Sequence, residues 1–279
     1  MSCYSGMGIV FRRAREWHLY DDQGKRYTDF CQDRGRALLG HRPQNLSTVV
    51  KNEISRGVWA VVDSPWPHRI HRQLERLFSG VTILKTFFLP EEAAGPGGEL
   101  EDDLEPEAVV RWWRPLQPEG LRFSGTIDII APLIPWSLPG IPQPLCACSA
   151  MGLEVLEALQ DGTSRYNAVS PVHGAGIGRV LSLLQEDEAI SQRLQVAEDL
   201  FIPSGYTRSG VYLVPSGMED VLTRPPRETP VIPPEWNRFR RQALNCGVIL
   251  PPSPSDPIIV PGELSRSERR QWERVWHES

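Results

Sequence analysis

Residues 19–30 read LYDDQGKRYTDF, and this stretch determines how the rest of the chain is interpreted. Two short runs of apolar and aromatic residues flank the polar sequence Asp-Asp-Gln-Gly. Glycine adopts the left-handed backbone of a tight turn without steric cost, so Gly24 indicates the turn itself. We therefore predict a two-stranded antiparallel hairpin near the start of the chain.

Beyond the hairpin, the apolar pattern alternates between helical and extended spacing. Helical spacing predicts helices at residues 45–59, 68–79, 150–160 and 236–245, and one or two helices within 177–201. Runs of β-branched and aromatic residues predict strands at residues 82–89, 209–215, 248–250 and 258–260. Five prolines exclude helix from most of residues 127–149. Ser265 and Glu268 form a capping box, which predicts a terminal helix.

Three motifs in this order resemble the class III aminotransferases of fold type I, above all the glutamate-1-semialdehyde aminomutase branch. The hairpin resembles the entrance signature of that family. Residues 39–43 (LGHRP) resemble the Leu-Gly-His-x-His-Pro that follows it, although one residue and the second histidine are missing. Residues 245–253 (NCGVILPPS) resemble the terminal Gly-Val-x-Leu-x-Pro-Ser. The resemblance implies an α/β fold with a pyridoxal-phosphate (PLP) transferase-like small domain and a truncated large domain.

The same resemblance divides the chain into three parts. Residues 1–79 would form the N-terminal hairpin and helix segment of the small domain, and residues 150–279 its C-terminal part. Residues 80–149 would be a reduced remnant of the large domain, with an acidic linker at 90–107 that carries eight carboxylates. This middle part is too short for a seven-stranded sheet with its helices, because each strand–helix unit takes roughly 30 residues.

The residues that hold the cofactor in the family have no counterpart here. Where the family has a phosphate-binding Ser-Gly-Thr-Glu-Ala turn, residues 89–94 read LPEEAA, whose carboxylates would repel a phosphate. The family's lysine position falls on Ile134 or Pro135, and neither side chain can form an imine. An arginine cannot replace the lysine, since its guanidinium stays protonated and is not a nucleophile.

The chain contains three lysines and 27 arginines. Lys25, in the hairpin turn, and Lys51, on the polar side of a helix, are predicted to be solvated. Lys85, in the predicted strand at 82–89, is the one lysine whose position is compatible with an interior side chain, and the sequence does not decide whether it faces a cleft. We expect no catalytic residue, no cofactor-binding residue and no PLP.

Other candidate sites are better explained by ordinary structure. The pair His68 and His71 lacks a third metal ligand nearby, and Cys146 with Cys148 lacks the spacing of a zinc knuckle. The glycine run at 173–178 (HGAGIG) lacks the third glycine of a dinucleotide fingerprint and is interpreted as the turn at which a helix begins. No metal site is predicted. Tryptophans 112 and 113 are interpreted as core anchors rather than as a ligand-stacking patch.

Composition excludes several further classes. The net charge of −5 gives no basic surface for nucleic acid. No apolar run approaches the length of a transmembrane helix, and the N-terminal residues do not have the pattern of a signal peptide. Five scattered cysteines predict a reduced, cytoplasmic protein.

The sequence favours a non-catalytic, aminotransferase-like protein that associates with another protein, either its own copy or a genuine aminotransferase. Dimerisation is expected because the family dimerises through surfaces that include its N-terminal segment. A second hypothesis is a binder of, or enzyme for, amino-acid-like small molecules that uses the remaining cleft, with His41, Arg42 and Ser253 as its polar groups. PLP chemistry through Lys85 is the least favoured hypothesis.

Overall fold

The computed structural model describes residues 4, 7–57, 63–89, 108–117, 126–136, 141–162, 169–223 and 233–277. Its architecture is mixed α/β, with three small sheets and the helices packed around them. In chain order the strands are β1 (Phe11–Arg15), β2 (His18–Asp21), β3 (Arg26–Asp29), β4 (Lys85–Leu89), β5 (Val110–Trp113), β6 (Ile129–Pro132), β7 (Gln143–Ala147), β8 (Tyr206–Ser209), β9 (Tyr212–Pro215), β10 (Val248–Ile249) and β11 (Ile258–Ile259). The helices are α1 (Leu46–Ser55), α2 (Trp66–Leu77), α3 (Ala150–Gly162), α4 (Pro171–Leu183), α5 (Asp187–Glu198), α6 (Pro234–Asn245) and α7 (Arg266–His277).

The predicted hairpin is confirmed as β2 and β3, which pair antiparallel. Asp21 stabilises the turn between them, since its Oδ1 accepts hydrogen bonds from the backbone N–H groups of Gln23 and Lys25. Gly24 has φ of +82°, as the turn requires. Strand β10 from the far end of the chain adds to β3 in parallel, so the first sheet has the order β1-β2-β3-β10 and joins the two ends of the sequence.

The middle of the chain forms a second sheet with the order β4-β7-β6-β5. Strands β5 and β6 are parallel, and the other two pairs are antiparallel. One face of the sheet packs on α2 and α4, and the other packs on α3. Both faces are therefore covered, which explains why β6 and β7 consist entirely of buried residues. Helix is absent from the described residues of the proline-rich stretch before Ala150, as predicted.

The third sheet has the order β11-β9-β8 and is covered by α6 and α7. The capping box of α7 is confirmed. The Ser265 hydroxyl accepts a hydrogen bond from the Glu268 N–H at 3.3 Å, and Glu268 Oε2 accepts one from the Ser265 N–H at 2.8 Å. This pairing satisfies N–H groups that the first turn of a helix leaves without partners.

The prediction for the glycine run was wrong. Gly174, Gly176 and Gly178 lie inside α4 rather than in a turn before it. An added Cβ would collide with the ring of Trp66 at Gly174 and Gly178, and with the ring of Trp136 at Gly176. The glycines let two tryptophan rings pack directly against the helix backbone, and this tertiary packing outweighs the low helix propensity of glycine.

The division of the chain at residues 79 and 149 stays a prediction. In the structure, buried residues of α1, α2 and α4 share one apolar core with strands of the middle sheet. The predicted acidic linker at 90–107 lies outside the described residues. Among the helices that the structure describes, none is long and apolar enough to cross a bilayer.

Candidate functional site

The most heavily hydrogen-bonded side chain near the hairpin is Asp29, which ends β3 and is fully buried. Its Oδ1 accepts hydrogen bonds from the N–H groups of Cys31 and Gln32, both at 2.9 Å. Its Oδ2 lies 2.7 Å from the Tyr4 hydroxyl and 2.9 Å from His41 Nε2, and accepts from both. Burial and the nearby Asp29 carboxylate raise the pKa of Tyr4 well above its usual value. Both carboxylate oxygens of Asp29 are thus already engaged, which makes it an anchor of the fold.

The chain after Asp29 takes an unusual backbone. Gln32, Asp33 and Arg34 have φ of 47°, 46° and 58°, in the left-handed region where residues with a side chain cost roughly 1–2 kcal/mol each. The run is held by Gln32, whose Nε2 donates to the Ile259 carbonyl at 3.0 Å. Strain of this kind persists only where surrounding contacts determine the conformation. Here it places Arg34 Nε 4.0 Å from Asp256 Oδ2.

Two further arginines are buried close to this run. Arg114 is only 3% exposed, and burial lowers its pKa, although Tyr212 and Asp256 act in the opposite direction. Its Nε and the Oε1 of neighbouring Gln117 have no hydrogen-bond partner among the described residues. Burying a guanidinium with an unsatisfied donor costs free energy of folding. Arg114 is therefore the clearest polar irregularity of the described core.

Arg193 of α5 is the second of them. Its Nη2 donates to Gln32 Oε1 at 3.2 Å and to the Leu38 carbonyl at 3.1 Å, and its guanidinium lies 4.8 Å from the centre of the Trp17 ring. Burial lowers its pKa to about 9. Both hydrogen-bond partners are neutral, so the aromatic face of Trp17 supplies part of the stabilisation that a carboxylate usually gives.

The three residues proposed from sequence for a ligand cleft have separate surroundings. His41 is bound to Asp29, and Arg42 is exposed. Ser253 is buried, and its hydroxyl accepts from the Ser255 N–H at 3.2 Å. The Ser253 carbonyl also accepts a hydrogen bond from the N–H of Asp256. Ser253 therefore lies next to Asp256, whose carboxylate neighbours Arg34 and Arg114.

Sequence reasoning missed this cluster of Arg34, Arg114, Arg193 and Asp256. A buried arginine cannot be told from a surface arginine by its neighbours in sequence. The position of Arg114 directly after two tryptophans was the single local signal.

None of the lysines points into an enclosed site. The structure decides the orientation of Lys85: its side chain is 48% exposed, and its Nζ lies 2.9 Å from Glu157 Oε1. Lys85 is the first residue of β4, at an edge of its sheet and before the buried part of the strand begins. Lys25 Nζ donates to the Leu244 carbonyl at 3.2 Å from an exposed position, and Lys51 is exposed on α1, as predicted for both.

The position that the resemblance assigns to the cofactor lysine is apolar in the structure. Ile134 is 1% exposed and packs with residues of β6, β7 and α4. Pro135 is also buried. The described residues therefore do not fit a covalent imine linkage to PLP. The predicted counterpart of the phosphate turn at 90–94 lies outside the described residues.

The thiols considered as metal ligands are buried or half-buried, and one histidine each of α2 and α4 is hydrogen-bonded to a hydroxyl. Burial raises the pKa of Cys146, and it raises that of the half-buried Cys148 to about 11. His71 Nδ1 lies 2.8 Å from Thr86 Oγ1, and His173 Nδ1 lies 2.8 Å from Ser170 Oγ at the start of α4. In the described part of the chain, no three His, Cys, Asp or Glu residues are grouped so that they could hold a metal ion.

Comparison with known sequences gives short matches. No family model matches the chain. It is 38% identical over 79 residues to an uncharacterized protein of Borreliella burgdorferi, a match that covers 28% of this chain and 26% of the relative. It is 29% identical over 80 residues to acetylornithine aminotransferase of Aquifex aeolicus, covering 28% and 21%. It is 35% identical over 49 residues to glutamate-1-semialdehyde 2,1-aminomutase of Clostridium acetobutylicum, covering 18% and 12%. Each match thus spans about a quarter of the relative or less.

Comparison with solved structures gives matches over almost the whole chain. An ornithine aminotransferase of Plasmodium yoelii superposes with a TM-score of 0.64 at 12% identity, covering 99% of this chain and 94% of that one. The omega transaminase of Pseudomonas jessenii in complex with PMP gives a TM-score of 0.66 at 11% identity, covering 96% and 91%. These matches confirm the α/β fold of the PLP-dependent transferases and the resemblance to class III aminotransferases.

The expectation that no cofactor belongs to this chain was wrong. Neighbours with the same fold carry one, as the Pseudomonas jessenii enzyme does with PMP. The ornithine aminotransferase of Toxoplasma gondii, with a TM-score of 0.65 at 10% identity, holds PLP at partial occupancy in its active site. The expectation rested on the missing lysine and on the acidic residues at the phosphate turn. A missing lysine excludes an imine rather than the cofactor, and the turn lies outside the described residues.

Proposed function

We propose that this chain is an aminotransferase-like protein that does not catalyse transamination through an internal lysine and that acts by association with another protein. The partner is a second copy of the chain or a genuine aminotransferase, and the assembly is a dimer in the cytoplasm. Cys146, Cys148 and Cys246 form no disulfide among the described residues, which is consistent with a reducing compartment.

The observation that carries the first half of the proposal is the placement of the lysines. An imine-forming lysine needs to lose its proton, and desolvated surroundings lower its pKa and make that possible. Lys25, Lys51 and Lys85 are all exposed, and Lys85 is also paired with Glu157. Ile134, one of the two residues on which the family's lysine position falls, is enclosed by apolar side chains. This first half concerns the covalent chemistry alone and is compatible with a cofactor held without an imine.

The second half is supported by an aromatic groove on the surface. Side chains of β8, α6 and α7 line a groove of about 400 Å³. Its rings form a continuous row of contacts, from Tyr206 to Trp276, Phe239 and Trp236. Trp236 is buried, and Tyr206, Phe239 and Trp276 are partly buried. Partly exposed aromatic side chains of this kind supply much of the binding energy of protein interfaces.

Absorbance titration of the purified chain with PLP tests the first half. Borohydride reduction and peptide mapping follow, with Lys85→Gln as the matched variant. We expect scattered adducts on exposed lysines and the same spectrum for both proteins. A visible imine band trapped at one lysine, and lost in Lys85→Gln, would restore the chain to the PLP enzymes. A parallel titration with PMP measures cofactor binding that needs no imine.

Sedimentation velocity over a range of concentrations tests the second half. We expect a self-association that strengthens with concentration, or a complex with an added class III aminotransferase. A monodisperse monomer that also fails to bind such an enzyme would remove the proposed role in association.

The buried arginines favour a second candidate function, the binding of a small carboxylate-bearing molecule. Arg34 and Arg114 lie near Asp256 and at the edge of the segment that contains Ser253, and Arg114 Nε has no partner within the described residues. Guanidinium groups are well suited to bidentate carboxylate recognition. Amino acids that raise the melting temperature of the wild type but not of Arg114→Met would support it, and the absence of any shift would remove its basis.

A further inference from the structure

Helices α1, α2 and α4 enclose a surface groove of about 380 Å³ that is separate from the arginine cluster of the core. Its floor is apolar and includes Val49, Trp66 and Ala175. Its rims carry arginines from two helices, three from α2 and Arg179 from α4. An apolar floor between basic rims is an arrangement suited to a ligand that is acidic and partly apolar.

The three arginines of α2 are not neutralised within the described part of the chain. Arg69, Arg72 and Arg76 are exposed and form no ion pair there, because the neighbouring Glu75 is paired with His71. They follow one another at i, i+3 and i+7, so they share one face of the helix and repel each other. A bound anion would relieve this repulsion and would therefore bind favourably.

The floor of the groove is held rigid. The ring of Trp66 packs against the glycine backbone of α4, and Arg69 lies 5.1 Å from the ring centre on the exposed side. Gln73 Nε2 donates to the Gly178 carbonyl at 3.0 Å and to the Ser182 hydroxyl at 2.9 Å, which fixes the spacing of α2 and α4. A groove that does not have to rearrange loses less free energy when it binds.

The spacing of the arginines indicates the size of the ligand. Arg69 and Arg76 are seven residues apart, which corresponds to about 10 Å along a helix axis. One phosphate or one carboxylate cannot contact both ends of such a row. Several carboxylates distributed along a polypeptide can.

We propose that this groove binds the acidic segment of residues 90–107 from a second copy of the chain. That segment carries eight carboxylates, with Leu100 and Leu104 for the apolar floor. One chain thus contains both the groove and the segment that complements it. When the segment of each copy binds the groove of the other, the two copies form a closed two-fold dimer. The inference rests on the proposed association of the protein with its own copy and names the contact that would carry it.

The first experiment measures binding of a fluorescein-labelled peptide of residues 90–107 to the full chain by anisotropy. The groove variant is Arg72→Glu/Arg76→Glu, and the matched control is Arg266→Glu/Arg270→Glu, two exposed arginines at the start of α7. We expect the groove variant to bind at least about tenfold more weakly and the control to bind like the wild type, with affinity that falls as salt rises.

A peptide whose carboxylates are replaced by amides is expected to lose binding as well. Equal binding to the groove variant and the wild type would overturn the proposal. Circular dichroism and thermal melts verify that the variants are folded.

The second experiment measures the dimer itself by sedimentation equilibrium of the full chain. We expect the dimer to weaken at least about tenfold in the groove variant and in a variant with amides in place of the carboxylates of 90–107, and not in the α7 control. Mixing the two weakened variants leaves one intact groove facing one intact segment, so a mixed dimer is expected to form.

The outcomes separate this inference from the proposed function. A dimer of undiminished strength in the groove variant would overturn the inference and leave the proposed association in place. A chain that is monomeric at every concentration would overturn both. Peptide binding that appears only after residues 90–107 are deleted from the chain, without any dimer, would place the segment in its own groove and overturn the contact between copies.

Discussion

His18 Nε2 of the entrance hairpin lies 2.7 Å from Glu268 Oε1 of the last helix, 250 residues further along the chain. Both side chains are buried. Glu268 also accepts from the N–H and the hydroxyl of Ser265 and lies 3.2 Å from Arg26 Nη2. One carboxylate thus completes the N-terminal cap of α7 and connects that helix to β2 and β3.

This connection makes the stability of the fold depend on pH. Burial acts to raise the pKa of Glu268, but the hydrogen bonds from His18 and Ser265 outweigh it and lower the pKa from 4.5 to about 2. A carboxyl whose pKa is lower in the folded state stabilises the fold above its unfolded pKa and loses that contribution as the pH falls from about 4.5 to 2. At neutral pH the shift corresponds to roughly 3 kcal/mol.

We therefore expect Glu268→Gln to reduce the free energy of unfolding at pH 7 by roughly 2–3 kcal/mol. The difference from the wild type should shrink below pH 4.5, as the wild-type carboxyl takes up its proton. Urea unfolding between pH 7 and pH 3 measures it. Glu273→Gln, an exposed residue of the same helix, is the control and should leave stability nearly unchanged. A difference between Glu268→Gln and the wild type that stays constant with pH would contradict the assignment.

Asp29 is expected to be the most sensitive polar position of the N-terminal sheet. In Asp29→Ala, four donors lose their acceptor, two from the backbone and two from Tyr4 and His41. The expected loss is roughly 3 kcal/mol or more, since unsatisfied buried donors keep their full desolvation cost. Tyr4→Phe removes one of the four donors and should cost about 1 kcal/mol. Guanidinium unfolding measures both, and equal effects would show that the four donors do not act through Asp29.

The parts of the fold that the sequence predicted are those that depend on neighbours in sequence. The hairpin around Gly24 follows from a turn residue between two alternating runs, and the start of α7 follows from Ser265 and Glu268 three residues apart. In both cases the hydrogen bonds that hold the element connect residues that lie within four positions of one another. For such elements the local sequence pattern is sufficient to predict the structure.

The parts that it did not predict depend on partners that are distant in sequence. Arg193 is buried because Gln32 and Trp17 lie against it, and Lys85 is exposed because it is the first residue of β4, before the buried part of the strand. The glycines of α4 were assigned to a turn because their partners, Trp66 and Trp136, lie far away along the chain. No spacing rule within one segment contains this information.

The packing of Trp136 on α4 gives a third prediction. A Cβ at Gly176 would overlap the Trp136 ring, so Gly176→Ala should destabilise the fold by roughly 1–3 kcal/mol even though alanine favours helix more than glycine does. Replacing the ring as well, in Gly176→Ala/Trp136→Leu, should recover part of that loss. Gly80→Ala is the control, because nothing lies within 4 Å of the Cβ it would add. Thermal melts of the four proteins test this, and a Gly176→Ala variant as stable as the wild type would show that α4 and Trp136 are not in close contact.

The thiols of β7 and the residue after it are expected to be slow to react. Burial raises the pKa of Cys148 from 9 to about 11, which lowers its thiolate fraction at pH 8 by roughly a hundredfold. Cys146 is fully buried, and burial raises its pKa further. Because the thiolate is the nucleophile, iodoacetamide at pH 8 should label Cys148 in the native protein much more slowly than in urea, and Cys146 only after unfolding. Mass spectrometry of the labelled peptides at several pH values gives both rates. Rapid labelling of native Cys148 at pH 7 would mean that its environment stabilises a thiolate, and the position would then have to be considered as a reactive site rather than as part of the core.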